Sequence, residues 1–135
     1  MTDPAAPISL ASPTADERTL ALLSHALSFL EGGVLGPLLL YFLRKEAMKI
    51  FPALKAMDDS AFVAFHSLQS LYFGLVFAAL AVVLGLPSFG LALLVLVPAY
   101  FIFELVACVK AHQGEWYRLP LVGDWAAQQH PPPGA

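Results

Sequence analysis

Charged side chains are scarce in this sequence of 135 residues, because they make up only 13% of it while hydrophobic residues make up 59%. Soluble domains are about 25% charged and about 45–50% apolar, and a chain this small has too much surface to hide such an excess. The mean hydropathy is +0.72. The composition therefore excludes an ordinary soluble domain and predicts an integral membrane protein that has the lipid bilayer as its partner.

The motifs of familiar enzymes and binding sites are also missing. A single cysteine, Cys108, excludes an internal disulfide, and a net charge of -3 gives no basic surface for nucleic acid. The sequence has no glycine-rich phosphate loop, no Cys-x-x-Cys, no His-Glu-x-x-His and no Gly-x-Ser-x-Gly. We therefore predict a protein that is not an enzyme and that uses no cofactor, metal or nucleic acid.

Neither end of the chain has a pattern that favours a membrane helix. The N-terminus is rich in Pro, Ala and Ser and lacks the basic start and apolar core of a secretory signal. The C-terminus contains three consecutive prolines, which cannot continue a helix. We therefore predict a disordered tail at residues 1–15, a helical membrane domain at 16–121 and a Pro-rich tail at 122–135.

The longest stretch without Lys, Arg, Asp or Glu runs for 44 residues, from Ser60 to Phe103. A membrane helix needs about 20 apolar residues, so this stretch is long enough for two crossings. The sequence GLPSFG at residues 85–90 supplies a turn between them, because Gly favours helix ends and Pro favours helix starts. The predicted helices cover about residues 60–84 and 88–111.

The earlier apolar run, residues 19–43, has two interpretations. As one tilted span it would place Glu31 near the bilayer centre, at a cost of roughly a few kcal/mol. As a short hairpin of about residues 16–51 it would turn at Glu31, Gly32 and Gly33 and keep the carboxylate at the surface. We favour the hairpin, which gives an all-α membrane protein of four helical segments; the alternative has three transmembrane helices.

The basic residues indicate how the chain is oriented. In the hairpin topology all seven Lys and Arg residues fall on one side of the bilayer. Cytoplasmic loops carry the excess of Lys and Arg, so both termini are predicted to be cytoplasmic, in a multi-pass protein of the inner cell membrane. Trp116, Tyr117 and Arg118 suit the interface on that side as anchors.

Four polar residues lie inside the predicted helices at similar depth: His25, His66, Gln69 and Glu104. An ionisable side chain in a membrane span is a functional hypothesis by default, although interhelical packing is the simpler explanation for His and Gln. We predict that His66 and Glu104 are in contact, directly or through one water, and that Gln69 and His25 complete an intramembrane polar cluster. Such a cluster would satisfy a buried acid, either as a structural clasp or as a proton-linked site.

Small residues recur every fourth position on the third predicted helix, at Ser70, Gly74 and Ala78. Such a ridge allows another helix to approach closely, so we predict that it is a helix-packing surface. The partner helix belongs either to the same chain or to a second copy or another membrane protein.

Three blocks of the sequence resemble those of a known family: ERTLALLSHALSFLEGGVLGPLLLYFLRK, FVAFHSLQSLYF and KAHQGEWYRLPL. They are similar to blocks of a bacterial family of small membrane proteins, a domain of unknown function distantly related to the Tic-twenty subunit of the chloroplast inner-envelope translocon. The resemblance covers residues 16–121. It departs from the family in a longer connection at 45–59 and in WYRLP where the family has YYRYP. It implies four helical segments with both termini inside, and little about activity.

Two classes of function are consistent with the sequence. The first is a small helical scaffold or assembly subunit that acts through helix packing and protein partners, and the packing ridge favours it. The second is a channel or carrier component in which the buried His, Gln and Glu residues serve a proton, an ion or a polar solute. We favour the scaffold.

Overall fold

The computed structural model describes residues 12–31, 41 and 60–134, and the secondary structure in these ranges is entirely helical. Four helices have both ends in the described residues: α1 (Ala15–Glu31), α2 (Ala61–Gly85), α3 (Leu93–His112) and α4 (Gly123–Gln129). The predicted all-α fold is confirmed, and α2 and α3 correspond to the helices expected at residues 60–84 and 88–111. Both are long and apolar enough to cross a membrane.

Side-chain caps explain where α1 and α2 begin. Thr14 and Glu17 form a reciprocal capping box, in which the Glu17 amide donates to the Thr14 hydroxyl at 3.2 Å and the Thr14 amide donates to the Glu17 carboxylate at 2.7 Å. The hydroxyl of Ser60 accepts a hydrogen bond from the Val63 amide at the start of α2. Each cap satisfies an amide that the first helical turn leaves without a partner.

The turn between α2 and α3 is longer than the sequence predicted. The helix α2 ends at Gly85, and α3 begins only at Leu93. Phe89 and Gly90 both have positive φ, at 52° and 85°, and this left-handed pair keeps the chain from entering a helix directly after Pro87. The hydroxyl of Ser88 accepts from the Ala92 amide and so fixes the second half of the turn.

Of the first three helices, α1 and α2 run in the same direction and α3 runs in the opposite one. Side-chain contacts join His25 to His66 and Ser28 to Ser70, so α1 and α2 run parallel. The helix α3 runs antiparallel to both. The starts of α1 and α2 and the end of α3 therefore lie together, and we call this the near end; the turn between α2 and α3 is at the far end.

The parallel direction of α1 and α2 agrees with the hairpin rather than with the three-helix alternative. In the three-helix topology the first span would be followed directly by α2, and these two helices would run antiparallel. The predicted turn residue Glu31 is the last residue of α1. Gly32, Gly33 and most of the second helix of the hairpin lie outside the described residues.

Burial divides the helix α2 into two halves. From Phe62 to Gly74 every side chain except Tyr72 is buried, whereas the half toward the far end is largely exposed. Exposed apolar residues there include Leu75, Val82 and Val83. In a membrane protein such side chains face lipid or another membrane segment, so the packed core of the described part lies toward the near end.

The chain beyond α3 does not continue as an extended tail. Residues 113–122 turn back over α2, and α4 then packs against α2 with Ala126 fully buried. Gly123 allows this close approach, because a Cβ there would lie 2.5 Å from Cβ of Arg118 and 2.9 Å from Oε1 of Gln69. A short helix therefore occupies part of the range 122–135 that the sequence assigned to a tail.

Packing of α1 depends on a small side chain at its buried face. Ala21 is fully buried in a cluster with Phe62 and Ala111. We expect Ala21→Leu to lower the free energy of unfolding by about 1–3 kcal/mol, because overpacking forces neighbouring side chains apart. Thermal unfolding in detergent measures the effect. The control is Leu23→Met on the exposed side of α1, and equal melting temperatures for the two variants would contradict this packing.

Candidate polar site

Five polar side chains meet where α1, α2 and α3 pack together. His25 and Ser28 come from α1, His66 and Ser70 from α2, and Glu104 from α3; we call them the polar cluster. All are at most 1% exposed. Helical spacing brings them together, because residues three and four apart lie on one face of a helix.

The imidazole of His25 is the centre of the polar cluster. Its Nδ1 lies 2.7 Å from Oε2 of Glu104, and its Nε2 lies 3.0 Å from Nδ1 of His66. The Nε2 of His66 in turn donates to the backbone carbonyl of Glu115 at 3.1 Å. One continuous hydrogen-bonded chain therefore runs from a buried carboxyl group through two imidazoles to the backbone just after α3.

The second carboxyl oxygen of Glu104 contacts a pair of serines. The hydroxyl of Ser70 lies 3.3 Å from Oε1 of Glu104 and 2.6 Å from the hydroxyl of Ser28. Both hydroxyls are also 3.3 Å from the backbone carbonyl of Ser24. Both oxygens of the buried carboxyl group thus have partners, which matters because a buried charge without a partner costs several kcal/mol.

The predicted partners of Glu104 are arranged differently from the sequence expectation. The structure places the imidazole of His25 between His66 and Glu104, so these two residues are connected through His25 and not directly or through one water. Gln69 does not join these residues, although it is fully buried. It faces the segment that follows α3.

Gln69 fastens that segment to α2 through its side-chain amide. Its Nε2 donates to the carbonyl of Tyr117 at 3.0 Å, and its Oε1 accepts from the amide of Leu119, also at 3.0 Å. Trp116 packs against the rings of Phe62 and Phe65, with ring centroids 5.2 Å and 5.1 Å apart. The predicted anchor Trp116 therefore contacts the protein itself at the near end.

The other anchor and ridge residues divide between the core and the surface. Arg118 is half exposed and pairs with Asp124 at 2.8 Å, and the ring of Tyr117 packs against the core. Ser70 and Gly74 of the predicted ridge are buried, whereas Ala78 is exposed. The ridge therefore packs inside the chain over its first two members, and its third lies on the exposed half of α2.

Sequence reasoning missed two members of the polar cluster, Ser28 and Ser70, and two backbone carbonyls that contact it. Ser24 contributes a backbone carbonyl, and so does Glu115, whose carbonyl no side-chain pattern could reveal. Ser70 was assigned only to packing, although it contacts Glu104. The spacing of Ser24 and Ser28 around His25 was the available signal, because these residues lie on one side of α1.

The chemistry available to the polar cluster is that of hydrogen bonding and proton exchange. Within residues 12–31, 41 and 60–134, no group of three or more His, Cys, Asp or Glu side chains is arranged to hold a metal ion. Cys108 is a buried free thiol whose sulfur lies 3.8 Å from the carbonyl of Leu22. What the geometry offers is a carboxyl group, two imidazoles and two hydroxyls in direct series.

Apolar spanning helices closed around a buried polar cluster define a small helical membrane protein. The chain belongs to the magnetosome magnetite crystal formation protein family, which it matches over residues 16–126. The match includes α1, α2 and α3 and most of α4.

Curated relatives agree with a membrane location. A UPF0132 membrane protein of Archaeoglobus fulgidus is 38% identical over 106 residues, covering 77% of this chain and 89% of the relative. A UPF0132 membrane protein of Methanocaldococcus jannaschii is 36% identical over 104 residues, covering 76% of this chain and 82% of the relative. No solved structure matches the chain. These relatives are archaeal, so the bacterial origin and the Tic-twenty relationship stay predictions.

The contact between His25 and Glu104 predicts energetic coupling. We expect His25→Asn and Glu104→Gln to be non-additive by about 0.5–3 kcal/mol in the free energy of unfolding, because residues in one hydrogen-bond network couple. Unfolding of the single and double variants in detergent measures the coupling. The control cycle combines Glu104→Gln with His112→Asn, which lies on the exposed side of α3. Equal coupling in both cycles would rule out a specific contact.

Proposed function

We propose that this protein is a small membrane scaffold that acts through helix packing with protein partners or further copies of itself, without a catalytic step. The observation that carries the proposal is the complete burial of the polar cluster, which joins α1, α2 and α3 by side-chain contacts. Apolar side chains alone give little preference between protein and lipid, because lipid tails are equally apolar. Polar contacts therefore hold the three helices in a fixed arrangement.

The arrangement is stable because separating the helices would leave buried polar groups without partners. Separating α1 from α3 would leave the carboxyl group of Glu104 without the imidazole of His25, which lies 2.7 Å away. In the ion-pair form of this contact, removing one partner would typically cost about 3–5 kcal/mol. A rigid body of three helices that presents an apolar exterior suits a structural subunit of a membrane assembly.

A channel or carrier component is the alternative, and the polar groups give it less support. The polar cluster begins at the near end and reaches Ser28 and Ser70. From Leu71 to Leu84 the helix α2 has only apolar or glycine residues apart from Tyr72, and the first half of α3 is equally apolar. Transport across the bilayer requires polar groups at successive depths, and these halves of α2 and α3 toward the far end do not supply them.

The family name adds one consideration. The name refers to the formation of magnetosome magnetite crystals. We propose that this chain would contribute to such a process as a structural subunit, through helix packing. No specific partner follows from the name, and we infer none from it.

The proposed orientation places the near end in the cytoplasm. The basic residues at this end include Arg18 and Lys110, which are partly exposed, and Arg118, which is exposed; Lys and Arg mark the cytoplasmic side. We expect cysteines introduced at Ser12 and Gln128 in a Cys108→Ala background to be protected from an impermeant thiol reagent in intact cells. A cysteine at Phe89, which is 98% exposed at the far end, should be labelled. Labelling at Ser12 from outside would contradict this orientation.

The scaffold proposal predicts a complex of fixed stoichiometry. Extracted from its membrane in mild detergent, the tagged chain should elute with further copies or with a second membrane protein at a constant ratio, measured by native mass spectrometry. Reconstituted liposomes should show the same proton and ion flux as protein-free liposomes. A monomer whose flux is abolished by Glu104→Gln, and not by Asp124→Asn, would replace the scaffold by the carrier.

A further inference from the structure

The backbone carbonyl of Glu115 fixes the protonation of the histidine nearest the surface. A carbonyl oxygen only accepts hydrogen bonds, so Nε2 of His66, at 3.1 Å, must carry a proton. A neutral His66 then has an unprotonated Nδ1 that accepts from His25. The Nε2 of His25, at 3.0 Å, must therefore carry the proton of that bond.

One proton remains to be shared between His25 and Glu104. Their atoms Nδ1 and Oε2 are 2.7 Å apart, which is the short distance of a charge-assisted hydrogen bond. The proton lies on the carboxyl group, leaving both partners neutral, or on the imidazole, giving an ion pair. The two forms have the same net charge and the same heavy-atom positions, so the protein can hold either without rearrangement.

We propose that Glu104, His25 and His66 form a proton-binding relay that is open to water at the near end of the molecule. Glu104 gives its proton to Nδ1 of His25, while Nε2 of His25 gives its own proton to Nδ1 of His66. Nε2 of His66 releases its proton to a water molecule that takes the place of the Glu115 carbonyl. The sum is one proton moved from the buried carboxyl group to water, and the reverse sequence reloads the site.

The relay is open at one end because its surroundings differ at its two ends. At the near end, Glu115 has a side chain that is 51% exposed and pairs with Lys110 at 2.9 Å, so water reaches this segment. At the other end the relay stops at Ser70 and Ser28, beyond which the described half of α2 is apolar. The site therefore exchanges protons with one face of the membrane. Such exchange goes beyond the proposed scaffold role, and it does not require that a proton cross the bilayer.

Within residues 12–31 and 60–134, few other titratable groups face the relay. From α3, Tyr100 and Cys108 interact electrostatically with Glu104, and the Tyr100 hydroxyl faces Ser28 without completing a hydrogen bond of good geometry. From the segment after α3, only Glu115 is near, and its carboxylate is already paired with Lys110. In the described part of α1 and α2, the other polar neighbours are serines. The shared proton therefore responds chiefly to Glu104 and the two histidines.

Spectroscopy of the purified protein in lipid nanodiscs tests the relay. With nitrogen-15 histidine, the signals of His25 should change together with those of His66 as the pH is varied. Glu104→Gln keeps a hydrogen bond to His25, because its amide can donate to Nδ1, but removes the shared proton. We expect the coupled change of the His25 and His66 signals to be lost in this variant, whereas Asp124→Asn, which alters an exposed acid at the near end, should behave like the unmodified chain.

The route through His66 is tested by the rate of exchange. The infrared band of the Glu104 carboxyl group reports replacement of its proton by deuterium. His66→Gln can still accept from His25 and donate to Glu115 but cannot pass a proton on, so exchange should slow by about tenfold or more, about 1.4 kcal/mol on the barrier. His112→Gln is the control, and His66→Asn repeats the test with a shorter amide. Unchanged histidine signals in Glu104→Gln, or unslowed exchange in the folded His66 variants, would overturn the proposal and leave a static clasp.

Discussion

The burial of one carboxyl group in an apolar helix is the constraint on which the rest of the structure depends. Glu104 is fully buried on α3, and moving a carboxylate from water into a medium of low dielectric costs several kcal/mol even after relaxation. The chain meets this cost with an imidazole from α1 and a hydroxyl from α2, so the same contacts that satisfy the acid also align the three helices. The arrangement of the helices follows from satisfying the acid.

The protein consequently has two unlike halves. Toward the near end the helices are joined by side-chain hydrogen bonds, and the segment after α3 is fastened to α2 through Gln69. Toward the far end the described side chains of α2 and α3 are apolar and largely exposed. The helix α2 has 25 residues and is about 37 Å long at 1.5 Å per residue, which exceeds a hydrocarbon core of about 30 Å. The excess length allows the near end of α2 to extend into the polar headgroup region.

The membrane class and the two spanning helices could be predicted because they depend on composition and on the length of uncharged runs. The common depth of His25, His66 and Glu104 could also be predicted, since it follows from the helical rise. The order of contacts could not, because rotation about the helix axes decides whether His25 or His66 faces the carboxyl group. The helix α4 escaped prediction because it depends on a close approach of Gly123 to Gln69, which is a tertiary contact without a periodic signal.

The distance along the chain between His25 and Glu104 has a consequence for synthesis. His25 enters the membrane with the first helix, but its partner Glu104 is 79 residues further along the chain. At about 5–20 residues per second, the ribosome needs roughly 4–16 s to supply that partner. Until α3 arrives, His25, Ser28 and Ser70 are polar groups without the acid that joins them. A chain that stops before α3 therefore leaves these polar groups without their acidic partner inside the membrane. Unsatisfied polar groups in the membrane would distinguish such an incomplete molecule from a finished one.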